Sequence, residues 1–406
     1  MPSTESRVWQ PRLDGYGGRA DRSSFVYEAY VPDPIAALQL GLPQAVASVI
    51  VEAERAVGEL QLETTFAGLE ALARHLLRAE SVASSRIEGL RLSQRRLAEA
   101  LLSPADADAA AREVVGNIEA MQAAVDLGAS GVDVTAEDIK ALHKTLLRNT
   151  RDAQIAGRIR DEQNWIGGSD HSPRGAEFIP PAEGRVPALL DELAAYLNLA
   201  DSSPIVQAAV AHAQFETIHP FADGNGRVGR ALIHVVFRRR GLSSRFAPPI
   251  SVVLAANGGR YAEGLTAYRA GDLAEWCRFF AEVVIDAANR SRTLARDLAV
   301  LQGEWLEQAR RPRADSAAAR LIAEIPAQPI LDAKTVAAML SVSEVAARNA
   351  LNALEEASVL RQVNFGKKRF RAWEAPALIA LLDNFEWSMA EDTKGRRRRP
   401  SPSPRT

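Results

Sequence analysis

The sequence predicts a mostly helical protein that carries one small β-hairpin and ends in a winged helix-turn-helix unit. Three observations support this fold class. Apolar residues recur at helical spacing from about Leu38 onward, a Gly- and Pro-rich stretch at 157–181 interrupts that rhythm, and an alternating stretch at 359–373 follows three short helical patterns. With 406 residues, the chain is long enough for two or three domains with their own cores.

The helical patterns are bounded mainly by Gly, Pro, Asp or Ser, as helix ends commonly are. Residues 1–35 are instead rich in Gly, Pro, Ser and Arg, which predicts an irregular arm. Apolar runs around Trp165 and Phe178, separated by Gly, Ser, Asp and Pro, predict a loose β-hairpin with a long tip. Helices are predicted at 92–102, 106–127, 136–148, 186–199, 204–218, 226–240, 258–270 and 273–300, after two earlier patterns near 46–60 and 69–77.

The C-terminal unit is predicted from three helical patterns followed by the alternating stretch 359–373. These patterns lie at 318–325, 332–340 and 343–357. Residues 394–406 hold six basic residues and no acidic or large apolar one, which is typical of a disordered tail. The predicted domains are an N-terminal region 1–105, a helical core 106–300, a linker 301–313, the winged-helix unit 314–388 and a basic tail 389–406.

Composition excludes several classes of protein. The 49 Lys and Arg nearly balance 51 Asp and Glu, so the net charge of −2 argues against a uniformly basic nucleic-acid-binding protein, although the C-terminal end is locally basic. The single cysteine, Cys277, excludes a disulfide scaffold and a Cys-based zinc site, and it is typical of a cytoplasmic protein. No stretch approaches 18 uncharged apolar residues, so we expect no membrane partner.

The residues that carry chemistry concentrate in one run between two helical patterns. Gly224 and Gly226 permit a tight turn whose backbone N–H groups face one concavity at the start of a helix, and such a concavity binds phosphate. Arg227 and Arg230 lie three residues apart on one helical face and suit further phosphate oxygens. The complete run reads His219-Pro220-Phe221-Ala222-Asp223-Gly224-Asn225-Gly226-Arg227-Val228-Gly229-Arg230.

Two further residues of this run suit catalysis on a phosphate. Asp223 is a hard oxygen ligand of the kind that Mg²⁺ needs beside a polyphosphate, and His219 is placed to take a proton from an attacking nucleophile. Residues 224–229 also match the G-x-G-x-x-G pattern of dinucleotide-binding folds. We reject that interpretation, because a helical pattern precedes them and no Asp or Glu lies between Asp223 and Glu263.

The run resembles the signature of the Fic (fido) family, HxFx(D/E)GNGRxxR, and matches it at every fixed position. Most members of that family are helical enzymes that transfer AMP from ATP to a Ser, Thr or Tyr hydroxyl of a target protein. The resemblance implies that His219 is the general base, which deprotonates the target hydroxyl for attack on the α-phosphate. It also implies that Asp223 holds Mg²⁺ between the α- and β-phosphates.

The resemblance likewise assigns residues to the rest of the nucleotide. Arg227 and Arg230 are expected to reach the β- and γ-phosphates of ATP. The 224–226 backbone and the Asn225 side chain are expected to cradle phosphate oxygens. Relatives often carry a pair of tyrosines at the adenine end, whereas this chain has the single Tyr261 there, which is the candidate contact to the base.

Self-inhibition is implied by the run Ser84-Ser85-Arg86-Ile87-Glu88-Gly89. It resembles the family's inhibitory motif, (S/T)xxxE(G/N), at Ser84, Glu88 and Gly89, and it precedes the core run as in the family's second class. Glu88 is expected to pair with Arg230 and so deny that arginine to the γ-phosphate, because a carboxylate in a guanidinium fork competes directly with phosphate.

The segment 165–181 resembles the family's flap, a hairpin that aligns the hydroxyl-bearing segment of the target by strand addition. The implied partners are therefore ATP and a target protein, which can be the enzyme itself. The sequence leaves open the identity of the target, and it leaves open whether the protein is a monomer or a homodimer.

Two alternative functions stay open. In the first, Glu88 orients a water molecule and the enzyme removes AMP from a modified target. In the second, the chain is a DNA-binding regulator whose Fic core senses nucleotide. The predicted helix 343–357 offers Ser343, Glu344, Arg348, Asn349 and Asn352 to base edges, and the predicted wing offers Lys367, Lys368, Arg369 and Arg371 to the phosphate backbone.

Overall fold

The protein is described by a computed structural model that covers residues 3–11, 23–36, 41–64, 68–169, 171–365 and 370–392. Most of the predicted wing and the tail from residue 393 therefore lie outside the described residues. The chain forms two compact units. The first unit comprises residues 1–61, 116–245 and 259–285, and the second comprises 62–115, 246–258 and 286–406.

The described residues are mostly helical, as the sequence predicts. The strands are β1 (Ser3–Trp9), β2 (Phe25–Val31), β3 (Ile330–Leu331), β4 (Arg361–Phe365) and β5 (Phe370–Glu374). The helices are α1 (Gln44–Gln61), α2 (Leu69–Ile87), α3 (Gln94–Leu102), α4 (Ala109–Ala129), α5 (Ala136–Leu147), α6 (Val186–Leu197), α7 (Pro204–Ile218), α8 (Asn225–Arg239), α9 (Ile250–Ala256), α10 (Gly258–Arg269), α11 (Leu273–Gln308), α12 (Ala317–Glu324), α13 (Ala333–Leu340), α14 (Glu344–Glu356) and α15 (Pro376–Asp392).

Helix α7 is the centre of the first unit, and every residue from Ile205 to Ile218 is buried. Helices α1, α6 and α8 pack against it. The approach of α8 is close because Gly229 has no side chain: a Cβ there would lie 2.5 Å from Glu216 Oε1 and 2.9 Å from Phe215 Cδ1. The central helix therefore fixes the start of α8, where the chemistry-bearing run lies.

The described part of the N-terminal arm is not irregular, and the prediction was wrong for these residues. β1 and β2 form an antiparallel ribbon whose register runs from Ser3 opposite Val31 to Trp9 opposite Phe25. Tyr27 and Ala29 of β2 are buried while Val26 and Glu28 are exposed, which is the period of a half-buried strand. The Gly- and Arg-rich composition of the whole arm conceals this short alternation.

The predicted β-hairpin at 157–181 is only partly formed. Its two apolar runs meet in a bridge in which the N–H of Ile166 donates to Phe178 O at 2.9 Å and the N–H of Phe178 donates back to Ile166 O at 3.2 Å. A second bridge joins Ser169 and Ser172. The ribbon flanks this segment, since the rings of Trp9 and Trp165 lie edge to face at 5.4 Å. The N–H of Tyr30 also donates to Ile179 O at 3.0 Å.

In the second unit, helices α12, α13 and α14 precede a three-stranded antiparallel sheet of order β3-β5-β4. A small apolar core joins α3 to this sheet and consists of Ala98, Ile330, Val363 and Ala372. Two boundaries differ from the sequence prediction, because α11 continues to Gln308 within the predicted linker and α15 ends at Asp392 within the predicted tail. Among the described residues, no helix is long and apolar enough to span a membrane.

Candidate active site

His219 follows the last residue of α7 and has a left-handed backbone, with φ 50° and ψ 61°. Its N–H donates to Phe215 O at 2.9 Å, which ends the helix. A left-handed conformation costs a residue other than glycine about 1–2 kcal/mol, so it persists only where neighbouring groups impose it. The turn places His219 and Pro220 at the start of a short loop that ends at Gly224.

Asn225, the first residue of α8, holds this loop closed. Its Oδ1 accepts the N–H of Phe221 at 2.9 Å, and its Nδ2 donates to Phe221 O at 2.8 Å. Asn225 therefore shapes the loop through its side chain. Each polar atom of an amide can hold a second partner, so the contact of Asn225 with phosphate oxygens stays a prediction.

The N-terminus of α8 has the geometry of an anion site. Gly224 is the residue before the helix, has φ 78° and offers no side chain that caps the helix. The first turn of an α-helix leaves its N–H groups without partners inside the helix, and those of Asn225 and Gly226 lie in that turn. A Cβ on Gly224 would lie 3.0 Å from Leu146 Cδ2, so glycine suits this position for two reasons.

The charged residues of the run divide into one exposed carboxylate and two buried guanidinium groups. Asp223 keeps 56% of its side chain exposed, whereas Arg227 and Arg230 are almost fully buried. Arg227 Nη2 donates to Asp223 Oδ2 at 3.1 Å. The structure thus brings Asp223 and Arg227 together, and it places Arg230 one turn further along the same helix.

The donor set at this site suits Mg²⁺ bound together with a polyphosphate. Among the residues that the structure describes, no three His, Cys, Asp or Glu side chains form a metal-binding cluster. Asp223 offers one carboxylate next to the start of α8, and its Oδ2 accepts the bond from Arg227. Mg²⁺ is commonly held by one or two carboxylates, with water and substrate phosphates completing its shell.

His143 of α5, which the sequence analysis did not single out, supports the loop from below. Its ring stacks on Phe221, with 3.8 Å between ring centroids and 11° between planes. Its Nδ1 accepts the N–H of Gly157 at 3.0 Å, so the proton lies on Nε2, which contacts Asp223 O at 3.0 Å. Burial lowers the pKa of His143 to about 4, which keeps the ring neutral in this role.

Arg160 is a buried cation that holds backbone carbonyls, and the sequence analysis missed it as well. It is 6% exposed. Its Nε donates to His219 O at 2.9 Å, its Nη1 to Glu162 O at 2.9 Å and its Nη2 to Pro181 O at 2.5 Å. Its backbone N–H donates to Pro220 O at 3.0 Å. Burial lowers the pKa of Arg160 to about 10, so it stays charged at neutral pH.

Tyr261 of α10 is packed rather than displayed. Its hydroxyl lies 2.7 Å from His212 Nε2, and 8% of the residue is exposed. Burial lowers the pKa of His212 to about 3, with the positive charge of Arg230 acting in the same direction. His212 is thus a packed histidine. The contact of Tyr261 with adenine stays a prediction.

The predicted inhibitory residues lie at the C-terminal end of α2, in the second unit. Ser84 and Ser85 are buried, whereas Glu88 and Gly89 are exposed. Gly89 has φ 83°, and the N–H groups of Gly89 and Leu90 donate to carbonyls of the last helical turn at 3.0 Å. Gly89 therefore ends the helix in the manner of a left-handed cap, directly after Glu88.

Family models match two parts of the chain. Residues 133–237 match the Fic/DOC family, and residues 47–126 match the N-terminal region of that family. The proteins named protein adenylyltransferase Fic of Drosophila sechellia and Drosophila melanogaster are 32% identical to this chain over 154 residues. These residues make up 37% of this chain, and they span 28% of the length of each relative.

Solved structures share the fold. A crystal structure of a Fic family protein from Desulfovibrio desulfuricans matches 83% of this chain and 97% of its own with a TM-score of 0.52, at 22% identity. A Fic domain-containing signaling protein from Bacteroides thetaiotaomicron matches 61% of this chain and 97% of its own with a TM-score of 0.51, at 18% identity. Together with the run from His219 to Arg230, the two matches show that the chain contains a Fic/DOC domain at residues 133–237, preceded by the N-terminal region of that family at 47–126.

Proposed function

We propose that the protein is an adenylyltransferase that moves AMP from ATP to a Ser, Thr or Tyr hydroxyl of a target protein or of itself. The observation that carries the proposal is the loop from His219 to Gly224 at the uncapped N-terminus of α8, with the cations Arg227 and Arg230 on that helix. The name of the Drosophila relatives supports the same activity.

In the proposed reaction, His219 accepts the proton of the target hydroxyl as its oxygen attacks the α-phosphorus of ATP. The new bond joins that oxygen to the α-phosphorus, the bond to the β-phosphate oxygen breaks, and pyrophosphate leaves. The His219 side chain is partly exposed at the mouth of the loop, so a hydroxyl from outside can reach it. Such a base contributes about 10²- to 10⁴-fold in rate.

The rest of the site positions ATP and offsets its charge. We assign phosphate oxygens to the first-turn N–H groups of α8 and to Arg227 and Arg230. We assign Mg²⁺ to Asp223, which can use Oδ1 while Oδ2 keeps Arg227. Bound there, Mg²⁺ neutralises charge that develops on the phosphates. Segment 165–181, here called the flap, is the proposed docking site for the target.

The finer part of the proposal is self-inhibition by Glu88 through Arg230. The family motif at 84–89 supports it, as does the position of Glu88 at the exposed C-terminal end of α2. Removal of AMP from a modified target by a Glu88-oriented water is the alternative use of the same residue.

The test uses purified protein, labelled ATP and Mg²⁺. We expect Glu88→Gly to raise the label on the protein or on an added target, and His219→Ala in that background to abolish it. Glu88→Gln is the matched control, because it keeps the side-chain shape and removes only the charge that competes with phosphate. Absence of label in all backgrounds contradicts the transferase. Loss of label from a modified target that depends on Glu88 favours the reverse reaction.

A second candidate function is DNA binding by a winged helix formed from α12 to β5. The order of helices and strands supports it, as does the exposed face of α14. The predicted base-reading residues all lie on that face: Ser343, Glu344, Arg348, Asn349 and Asn352.

This candidate is tested by binding to the protein's own promoter DNA over a salt series. We expect affinity to fall as salt rises, and Arg348→Ala with Asn349→Ala to weaken binding. Arg151→Ala, which removes an exposed charge from the unit that contains His219, is the control. Binding that is absent or insensitive to salt contradicts the candidate.

A further inference from the structure

The first inference concerns Arg160 and rests on the proposed function. In the described part of the chain, Arg160 forms no ion pair, and its guanidinium is satisfied by three backbone carbonyls. One belongs to His219. The other two belong to Glu162 and Pro181, which bracket the flap. A buried guanidinium that donates to several main-chain oxygens fixes the positions of those backbone segments, because its planar group holds its acceptors at set angles.

The His219 carbonyl is where such a restraint acts most directly on the chemistry. The left-handed backbone at His219 is costly, and it sets the direction in which the imidazole leaves the loop. Arg160 bonds the carbonyls on both sides of the bond between His219 and Pro220, one through Nε and the other through its own N–H. Arg160 therefore holds the backbone turn at His219 and both ends of the flap.

We infer that Arg160 is a positioning residue that holds His219 and the flap in one frame, so that the base meets the hydroxyl of a docked target. The inference predicts a loss of turnover without a loss of ATP binding, because the phosphate-binding groups lie on α8. Positioning errors of about 1 Å cost on the order of 100-fold in rate.

The test compares Arg160→Lys with Arg158→Lys in the Glu88→Gly background. Arg158 lies in the same segment and is exposed, so it is the matched control. An ammonium group keeps the charge of Arg160 but cannot span three carbonyls. We expect Arg160→Lys to lower kcat at least about 10-fold with an unchanged KM for ATP, and Arg158→Lys to leave both unchanged. If Arg160→Lys does not fold, Arg160→Gln replaces it.

Hydrogen exchange of the flap amides gives a readout that does not depend on activity. We expect faster exchange at 165–181 in Arg160→Lys than in Arg158→Lys. Unchanged kcat with unchanged exchange overturns the inference, and so does a fall in ATP affinity equal to the fall in kcat. If the Glu88→Gly parent transfers no AMP, the proposed function fails, and flap exchange alone decides the role of Arg160.

An independent observation concerns Arg86, which lies inside the motif 84–89. Its Nη2 donates to Glu386 Oε2 at 2.9 Å, and its Nη1 donates to the backbone oxygen of Glu386 at 3.1 Å. Gln94 Nε2 donates to the other carboxylate oxygen. Glu386 belongs to α15 and is 4% exposed. The last turn of α2 is therefore bound to the C-terminal helix.

Two further contacts also link distant parts of the chain within the second unit. Arg78 Nη1 donates to Ala327 O at 3.1 Å, and Arg95 Nε lies 3.4 Å from Glu374 Oε2. Helix α3 and the sheet also share an apolar core. The predicted inhibitory motif and the predicted winged helix thus fold as parts of one compact unit, although the sequence analysis placed them in separate domains.

We propose that α15 is a latch on the inhibitory motif. The contact between Arg86 and Glu386 holds the last turn of α2, two residues before Glu88, and its loss lets Glu88 leave the inhibitory position. This proposal also rests on the proposed function, specifically on inhibition by Glu88.

The latch is tested by combining variants. We expect Glu386→Ala to raise AMP transfer several-fold, and to add nothing in the Glu88→Gly background. Glu356→Ala, which removes an exposed glutamate from α14, is the control and should change neither. Hydrogen exchange at 84–92 should rise in Glu386→Ala.

The outcomes separate the two claims. If Glu88→Gly fails to activate, inhibition by Glu88 is wrong, and exchange at 84–92 then decides whether α15 holds α2. If Glu88→Gly activates and Glu386→Ala does not, the latch is wrong. An equal activation by Glu386→Ala with and without Glu88 also overturns it.

Discussion

Arg160 lies in the first compact unit and Arg86 in the second, and each links distant parts of the chain within its own unit. Their guanidinium groups have different hydrogen-bond partners. Arg160 bonds only backbone carbonyls around the active-site loop and the flap. Arg86 bonds a carboxylate, Glu386, and that residue's backbone oxygen. Carbonyls neither titrate nor move without the main chain. Burial raises the pKa of Glu386 to about 7, with Arg86 acting in the opposite direction.

The difference matches the roles that we propose for the two places. A loop that must present His219 in one orientation benefits from a restraint that is independent of pH and has several anchors. A helix end that must release Glu88 benefits from a contact that depends on one side chain. The free energy of unfolding of suitable variants tests this difference between the two arginines.

The largest effect is expected for Arg160→Met. The substitution leaves one buried and two partly buried carbonyls without their donor, and an unsatisfied buried group costs about 1–3 kcal/mol. We expect a loss of about 3 kcal/mol in the free energy of unfolding, measured by denaturant titration. The loss should be the same at pH 6 and pH 8.5, because Arg160, with a pKa of about 10, is charged at both. A loss that varies over this range contradicts the account.

A smaller and pH-dependent effect is expected for Arg86→Met. The folded-state pKa of Glu386 is raised above its ordinary value of 4.5, so its ionisation costs stability as pH rises through about 7. Removing Arg86 makes that ionisation more costly. We therefore expect a loss of about 1 kcal/mol at pH 6, where Glu386 is mostly protonated, and about 2 kcal/mol at pH 8.5.

The control for this prediction is Glu386→Gln with Arg86→Met. We compare the free energy of unfolding of Glu386→Gln with that of the double variant. Because the titrating group is absent from both, this difference should not depend on pH. A penalty for Arg86→Met that is flat from pH 6 to pH 8.5 would remove the distinction between the two arginines.

His143 provides the smallest of the three effects and an intermediate case, because a titrating side chain there holds backbone groups. Its folded-state pKa of about 4 lies below the ordinary 6.5, so its contribution is present above pH 6.5 and is lost as pH falls toward 4. We expect His143→Gln to reduce the loss of stability between pH 7 and pH 5.5 by about 1 kcal/mol. An unchanged acid dependence contradicts the assigned neutral ring.

The sequence predicts the parts of this fold that depend on local periodicity. The helix at 204–218 was predicted with the bounds that α7 has, and most other helices differ by a few residues. The ribbon of β1 and β2 was missed because its alternation is short and lies in Gly- and Arg-rich surroundings. The sequence predicts that this helix ends at residue 300, because the Arg and Pro cluster at 310–313 indicates a linker. The helix continues to Gln308.

The run from His219 to Arg230 was found because its residues are adjacent in sequence and match a family signature. The supports of that run could not be found in this way. Arg160 reaches the backbone of a residue 59 positions later, and His143 reaches one 80 positions later. Both contact main-chain oxygens. Every residue carries such an oxygen, so the sequence does not show which residue is contacted. The engagement of Asn225 with Phe221 escaped prediction for the same reason.

AMP transfer that depends on His219 is tested most directly by the intact mass of the Glu88→Gly protein after incubation with ATP and Mg²⁺, with fragmentation to locate the change. We expect the addition of one or more adenylyl groups to Ser, Thr or Tyr side chains, and none when His219→Ala is added. The addition of a phosphoryl group alone, or adenylylation that persists without His219, would contradict it.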